Sequence, residues 1–145
     1  MLIKVTGNLF DFEHQAYAQG VTPLGIMDRG IAVEFKKRFP EMFRTYKQIC
    51  QKGLLYTGNI HVYREEGQII FNLVTQATIV QAEARYLDES VETMYTFSKQ
   101  NGINDIAMPQ IGCGIGHLTV SDLERALQPF INDTTTNVTV YSLRS

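Results

Sequence analysis

The sequence contains no tryptophan, only four prolines, and only two cysteines, Cys50 and Cys113. The two cysteines lie far apart in different sequence contexts, which argues against a disulfide and favours a reducing compartment. No apolar run is long enough to span a bilayer, and the first residues lack the basic and apolar segments of a secretory signal. We therefore expect a cytoplasmic protein that does not associate with membranes.

The sequence also lacks an excess of either charge, with a formal net charge of −2. General binding of nucleic acid by bulk electrostatics is therefore not expected, and an anionic ligand would depend on local donors. The three histidines and two cysteines show no metal-ligand spacing, so we expect neither a metal nor a cofactor. No linker, repeat or low-complexity segment divides the chain, which predicts a single domain over residues 1–145, and we expect a monomer.

Hydrophobic periodicity predicts strands that alternate with helices along the chain. The predicted strands are 3–6, 15–19, 59–64, 68–74, 105–108 and 138–143, and the predicted helices are 31–39, 40–52, 87–100 and 120–127. Ser121 and Glu124 match the Ser-x-x-Glu capping box at the start of the last helix. Strands interleaved with helices on a mixed sheet indicate a three-layer α/β domain.

The most informative stretch is residues 108–118, in which Gly112, Gly114 and Gly116 fall within five residues. This stretch follows a predicted buried strand and precedes a predicted helix. Glycine permits positive φ and lets a ligand approach the backbone, and the free N–H groups of such a loop suit a phosphate. A turn that simply requires glycine is the alternative, and the spacing alone favours neither interpretation.

A second loop of this kind, residues 25–32, also leads into a predicted helix. The alternative here is an ordinary helix N-terminus at which Asp28 or Arg29 is solvated. Two such loops, each at a helix start, are more suggestive than one, because together they can hold the two ends of a diphosphate.

Four segments of the chain, taken in order, resemble a macro domain: 7–10, 27–40, 108–116 and 140–143. The resemblance is strongest to the branch that holds the terminal ADP-ribose protein glycohydrolases and the antitoxin that removes ADP-ribose from DNA. It implies a three-layer α/β/α macro domain with a mixed, mostly parallel central sheet. It also implies that the ligand or partner is ADP-ribose, either free or attached to a target.

The resemblance further implies which residues contact the ligand. The first loop would lie near the diphosphate and distal ribose, and the second would be the other phosphate loop. Asn8 stands where the family usually has an Asp that accepts from the adenine amino group, and Asn keeps a carbonyl acceptor. Tyr141 and Leu143 fall at positions whose side chains line the adenine site in the family, although Tyr141 is equally well an ordinary strand aromatic. The predicted ligand-binding residues are Asn8, Leu9, Gly25, Ile26, Met27, Asp28, Arg29, Gly30, Ile31, Ala32, Gln76, Ile111, Gly112, Cys113, Gly114, Ile115, Gly116, Tyr141 and Leu143.

The chain departs from the family pattern at two catalytic positions. The glycohydrolase branch uses a Lys that attacks the sugar carbon and an Asp that assists, and these positions hold Gln76 and Gly116. The amide nitrogen of Gln has no available lone pair and glycine carries no proton, so a lysine-adduct mechanism is disfavoured. A phosphatase-like branch would have a His near Gln19, which is also absent.

Other candidate catalytic groups are weak, and the catalytic residues stay unassigned. Cys113 is a candidate nucleophile, but no His is placed by sequence to activate it. His117 is a candidate base, and its alternative is a solvent-facing loop residue. Asp28 is a candidate for positioning a water at the distal ribose, and its alternative is a carboxylate that the helix dipole favours at a helix N-terminus. Attack by water, assisted by the substrate's own phosphate, remains open because it depends chiefly on positioning. We expect binding and processing of ADP-ribose, by an ADP-ribosyl hydrolase or an ADP-ribose 1″-phosphate phosphatase, with a non-catalytic reader or sink as the alternative.

Overall fold

The structure is a computed structural model that describes residues 1–114 and 116–143. Within those residues the strands are β1 (Leu2–Thr6), β2 (Ala16–Val21), β3 (Ile60–Glu65), β4 (Gln68–Val74), β5 (Asp105–Pro109) and β6 (Asn137–Ser142). The helices are α1 (Ile31–Arg38), α2 (Pro40–Gln51), α3 (Ala84–Gln100), α4 (Val120–Ala126) and α5 (Gln128–Ile131), with a short 3-10 helix at Leu9–Asp11. No helix in this described part is long and apolar enough to cross a membrane.

The strands form one sheet in the order β1-β6-β5-β2-β4-β3. Every neighbouring pair is parallel except β3 and β4, which form an antiparallel hairpin through Glu66 and Gly67. Helices α3, α4 and α5 pack on one face of the sheet, and α1, α2 and the 3-10 helix pack on the other. The predicted three-layer α/β/α architecture with a mixed, mostly parallel sheet is therefore confirmed.

The sheet has a topological switch point between β2 and β5. After β2 the chain leaves toward β3 and β4 along α1 and α2 on one face, and after β5 it leaves toward β6 along α4 on the other. In open α/β sheets the diverging loops at such a point leave a crevice at the carboxyl ends of the strands. Both predicted phosphate loops begin at this edge.

Strand β2 extends two residues further than the sequence pattern predicts. Gly20 pairs with Leu73 and Val21 pairs with Val74, so these residues complete the ladder instead of opening a loop. Glycine is unfavourable in a strand interior unless a close approach requires it. A Cβ on Gly20 would lie 2.8 Å from Thr75 Oγ1 and 3.0 Å from Ile111 Cγ2, which supplies that requirement.

The predicted capping box of α4 is wrong by two residues. The cap is Thr119, whose Oγ1 accepts from the Asp122 N–H at 3.1 Å, while the Asp122 carboxylate accepts from the Thr119 N–H at 2.9 Å. Thr119 has the extended backbone that an N-cap needs, whereas Ser121 already lies inside the helix. Glu124 instead forms an ion pair with Lys4 of β1.

We predict that Thr119→Ala lowers the free energy of unfolding by about 1 kcal/mol, because an N-cap side chain satisfies an otherwise unpaired helix N–H. The matched substitution Ser121→Ala, at the second residue of the same helix, should change the free energy of unfolding by less than about 0.5 kcal/mol. Urea denaturation of both variants measures the difference. An equal or larger loss for Ser121→Ala would return the cap to the position predicted from sequence.

Candidate functional site

A cleft of about 310 Å³ lies at the carboxyl ends of β2, β4 and β5. Its walls are the loop after β2, the loop after β5 and the start of the loop after β4. The volume is at the lower end of the range typical of small-molecule sites. The cleft therefore occupies the crevice that the switch point creates.

The first loop is held in shape by buried contacts beneath it. The Tyr46 hydroxyl of α2 donates to the Thr22 carbonyl at 2.5 Å, and Gln19 Nε2 lies 3.6 Å from Met27 Sδ. Burial raises the pKa of Tyr46 to about 12, so this hydroxyl remains a donor at neutral pH. Gly25 has φ +78°, a backbone conformation that favours glycine, and a Cβ there would make only ordinary contacts with Lys47 and Cys50 of α2.

The first loop ends by presenting a helix N-terminus to the cleft. Gly30, with φ +58°, is the N-cap of α1 and forms no side-chain cap bond, and Ile31 and Ala32 begin the helix. The first N–H groups of a helix have no partner inside it. Gly30, Ile31, Ala32 and the charged Arg29 all line the cleft. This wall therefore offers N–H donors and positive charge to an anion.

The second loop is a set of tight turns braced against the loop after β4. The Leu118 N–H donates to the Gly112 carbonyl at 2.7 Å, and the Ala82 N–H donates to the Gly116 carbonyl at 3.0 Å. Among the described residues, the N–H groups of Gly112, Gly114 and Gly116 donate no hydrogen bond. These three glycines line the cleft together with the first loop, so both walls contain backbone N–H groups without a partner among the described residues.

The three glycines are required for different reasons. A Cβ on Gly112, which has φ +79°, would lie 2.7 Å from Leu118 Cδ1. A Cβ on Gly116 would lie 2.8 Å from the Gly112 carbonyl oxygen and 2.9 Å from Ala82 Cβ. At Gly114 a Cβ would meet nothing within 4 Å. Packing thus explains Gly112 and Gly116, and this loop conformation has no room for any side chain at position 116.

The structure brings most of the sequence-predicted site residues together in this cleft. Those that line it are Ile26, Met27, Asp28, Arg29, Gly30, Ile31, Ala32, Gln76, Ile111, Gly112, Gly114 and Gly116. Predicted residues that do not line it are Asn8, Leu9, Gly25, Cys113, Tyr141 and Leu143. Ile115 lies outside the described residues.

The residues that the resemblance places around adenine make contacts within the fold. Asn8 Oδ1 accepts from the Phe10 N–H at 3.0 Å and caps the 3-10 helix. Leu9 is buried, and the hydroxyl of buried Tyr141 lies 2.7 Å from His14 Nε2. Leu143 is 82% exposed and makes no wall in this structure. Their roles toward adenine stay predictions.

The sequence analysis missed several lining residues: Gly20, Val21, Thr22, Ile79, Pro109 and Gln110. Gly20 and Val21 end β2 and Thr22 follows it, and Pro109 ends β5 and Gln110 follows it. The rule that ligands bind beyond the carboxyl ends of parallel strands would have found these five once the strands were paired. Ile79 lies in a segment without periodicity and carried no signal.

Two side chains that bear on catalysis have defined surroundings. The Gln76 amide lines the cleft, and its Nε2 donates to the Thr78 carbonyl at 2.6 Å. Burial, reinforced by the nearby Asp122 charge, raises the pKa of the Cys113 thiol, so Cys113 is protonated and a poor nucleophile at neutral pH. No three His, Cys, Asp or Glu residues in the described ranges are placed to hold a metal ion.

A family model for the macro domain matches residues 20–127, which include both loops, β4, β5 and the last two residues of β2. The chain belongs to the macro domain family. The resemblance seen in the sequence is thereby confirmed, since the relatives include members of the suspected branch.

Three comparisons define the relatives of this macro domain. The DNA ADP-ribosyl glycohydrolase of Thermus aquaticus is 28% identical over 133 residues, covering 88% of this chain and 37% of the relative. The human ADP-ribose glycohydrolase OARD1 is 31% identical over 118 residues, covering 81% of this chain and 74% of the relative. The macrodomain of Mycobacterium tuberculosis DarG has a TM-score of 0.89 and 27% identity over 97% of each chain. This macro domain thus spans little more than a third of the first relative's length.

We predict that Gly116→Ala lowers the free energy of unfolding by about 1–3 kcal/mol, because its methyl group would overpack against Gly112 and Ala82. The matched variant Gly114→Ala should differ from wild type by less than about 0.5 kcal/mol. Thermal and urea unfolding of the two variants test this contrast. Equal stability of both would show that the turn at Gly116 opens freely.

Proposed function

We propose that this macro domain binds ADP-ribose, free or attached to a target, in the cleft between the two loops. The observation that carries the proposal is that the α1 N-terminus lines one side of the cleft and that the glycine turns line the other, with no hydrogen bond donated by the Gly112, Gly114 or Gly116 N–H among the described residues. Such donors suit a diphosphate, whose two phosphates can each take one wall. Arg29 adds a positive charge to the same cleft.

The names of the relatives support this ligand. One is a DNA ADP-ribosyl glycohydrolase and the other an ADP-ribose glycohydrolase, and each alignment covers more than four-fifths of this chain. We assign the adenine end to the region of Asn8 and Tyr141. The capping bond from Phe10 uses one lone pair of Asn8 Oδ1, and a carbonyl oxygen retains a second for the adenine amino group.

The proposed activity is hydrolysis at the distal ribose by water. In this reaction water attacks the anomeric carbon, the bond to the target breaks, and the target leaves with a proton. Gln76 supplies no nucleophile, and the packed turn leaves no room for an acid at position 116. The backbone donors, the lining Asp28 and Arg29 and the substrate's own phosphates then provide the positioning.

The same two positions support a second candidate, a reader or sink that binds ADP-ribose without cleaving it. Its binding site would be identical, because the two loops can bind the ligand without a nucleophile at position 76. Incubation with Glu-linked, Ser-linked and DNA-linked ADP-ribose and with ADP-ribose 1″-phosphate separates the two candidates. Release of ADP-ribose or phosphate from any of the four supports the enzyme, and binding without release supports the reader.

We predict that ADP-ribose binds with a stoichiometry near one and raises the melting temperature, equivalent to about 2.7 kcal/mol at a free concentration of 100 Kd. Gly114→Leu should abolish this shift, because the side chain would project from the second loop. It should leave the unliganded melting temperature unchanged, since a Cβ there meets nothing within 4 Å. Calorimetry showing wild-type affinity for Gly114→Leu would remove the second loop from the site.

We predict that borohydride treatment with an ADP-ribosylated substrate leaves the mass of the wild-type protein unchanged, because Gln76 cannot form a Schiff base. The variant Gln76→Lys places an amine at the lining position and provides the matched positive control for trapping. Mass spectrometry after borohydride reduction measures the mass of both proteins. An ADP-ribosyl adduct on the wild-type chain would contradict the water mechanism and identify another lysine as the nucleophile.

A further inference from the structure

One buried hydroxyl beside the cleft has no partner of its own. Thr75 is fully buried, and its Oγ1 makes no hydrogen bond within the described residues. Buried polar side-chain atoms are almost always satisfied by protein, water or ligand, so an orphan hydroxyl next to a cleft calls for an external partner. Thr75 is absent from the sequence-predicted site and plays no part in the two loops.

The position of this hydroxyl is tightly defined. The Thr75 N–H donates to the Leu73 carbonyl at 2.9 Å, and the Thr75 carbonyl accepts from the Glu83 N–H at 3.0 Å. Three residues that surround it line the cleft. Gly20 and Ile111 meet Thr75 at the point where a Gly20 Cβ would lie, and Gln76 follows it in the chain.

Gly20 determines how close the hydroxyl is to the cleft. Thr75 Oγ1 is the atom nearest to the missing Gly20 Cβ, at 2.8 Å, so the hydroxyl packs directly against Gly20, which lines the cleft. The lining side chain of Gln76 is held by a single bond to the Thr78 carbonyl.

We propose that Thr75 is a positioning residue whose hydroxyl donates to the bound ligand, directly or through one water, at the floor of the cleft. The inference rests on the proposed binding of ADP-ribose. A hydroxyl suits this role because it donates one hydrogen bond and accepts others, so it can orient a water as well as hold a phosphate or ribose oxygen. The unliganded hydroxyl is then the unsatisfied half of a bond that the ligand completes.

Because the Thr75 hydroxyl has no partner in the described structure, its removal should weaken ligand binding without lowering the stability of the protein. Thr75→Val keeps the shape of the side chain and removes the hydroxyl. It should weaken ADP-ribose binding about tenfold, the effect of losing one hydrogen bond to a charged or water-linked oxygen. It should leave the unliganded melting temperature unchanged or higher, because a buried unsatisfied group is removed. Thr75→Ser, which restores the hydroxyl, should bind within about twofold of wild type.

Ser98 of α3 provides the matched control. Its hydroxyl is also buried and unpartnered among the described residues, but it lies at the far end of α3 and lines no part of the cleft. Ser98→Ala should therefore leave the unliganded melting temperature unchanged or higher, as Thr75→Val does, while ADP-ribose affinity stays at the wild-type value. Calorimetry and thermal unfolding of the four proteins give both readouts.

Wild-type affinity in Thr75→Val would overturn the inference and make the hydroxyl a tolerated defect of the fold. If Thr75→Val does not fold, Thr75→Ala decides, and wild-type affinity in that variant would overturn the inference equally. A tenfold loss in Ser98→Ala would also overturn it, because the effect would then be unspecific. Failure of the wild-type chain to bind ADP-ribose is a distinct result that refutes the proposed function itself.

Discussion

The pairing of β2 with β4 on one side and β5 on the other is the constraint on which the cleft depends. All six residues of β2 are in register with β4, and Ala16 and Tyr17 are in register with β5. Because the three strands run parallel, the loops that follow them emerge at one edge of the sheet. The helices after β2 and β5 then leave on opposite faces, and the space between them becomes the cleft.

The donors of the cleft are held in place by contacts that do not involve a ligand. Tyr46 holds the first loop through the Thr22 carbonyl, and Ala82 holds the second through the Gly116 carbonyl. A backbone braced in this way loses little freedom on binding, which is the physical advantage of a preorganised site. Among the glycines that line the cleft, Gly20, Gly112 and Gly116 allow close packing, whereas Gly30 and Gly114 stand clear of their neighbours.

Family membership and site chemistry carry different information in this chain. The macro domain fold is shared with glycohydrolases over most of the sequence, but a fold does not by itself imply a reaction. The lining amide of Gln76 and the packed turn at Gly116 remove two side-chain functions, and the lining Asp28 and Arg29, the backbone donors and the orphan hydroxyl of Thr75 remain. The proposed hydrolysis would therefore depend on positioning more than on a nucleophilic side chain.

The sequence by itself determined the order of strands and helices, the two glycine-bearing loops and the family resemblance, because periodicity and glycine spacing are local properties. The sequence misplaced the α4 cap, because Thr119 and Ser121 are both favourable N-cap residue types and only the backbone conformation distinguishes them. Only the tertiary structure decided that Gly20 and Thr22 join the cleft, that Asn8 caps a 3-10 helix, and that Thr75 is unpartnered. The physical reason for the cleft and for the buried Thr75 is that they depend on which strands pair and which faces pack, and contacts between distant parts of the chain leave no local pattern. The Asn8 cap is a local bond, but it depends on the 3-10 helix, which the hydrophobic pattern does not signal.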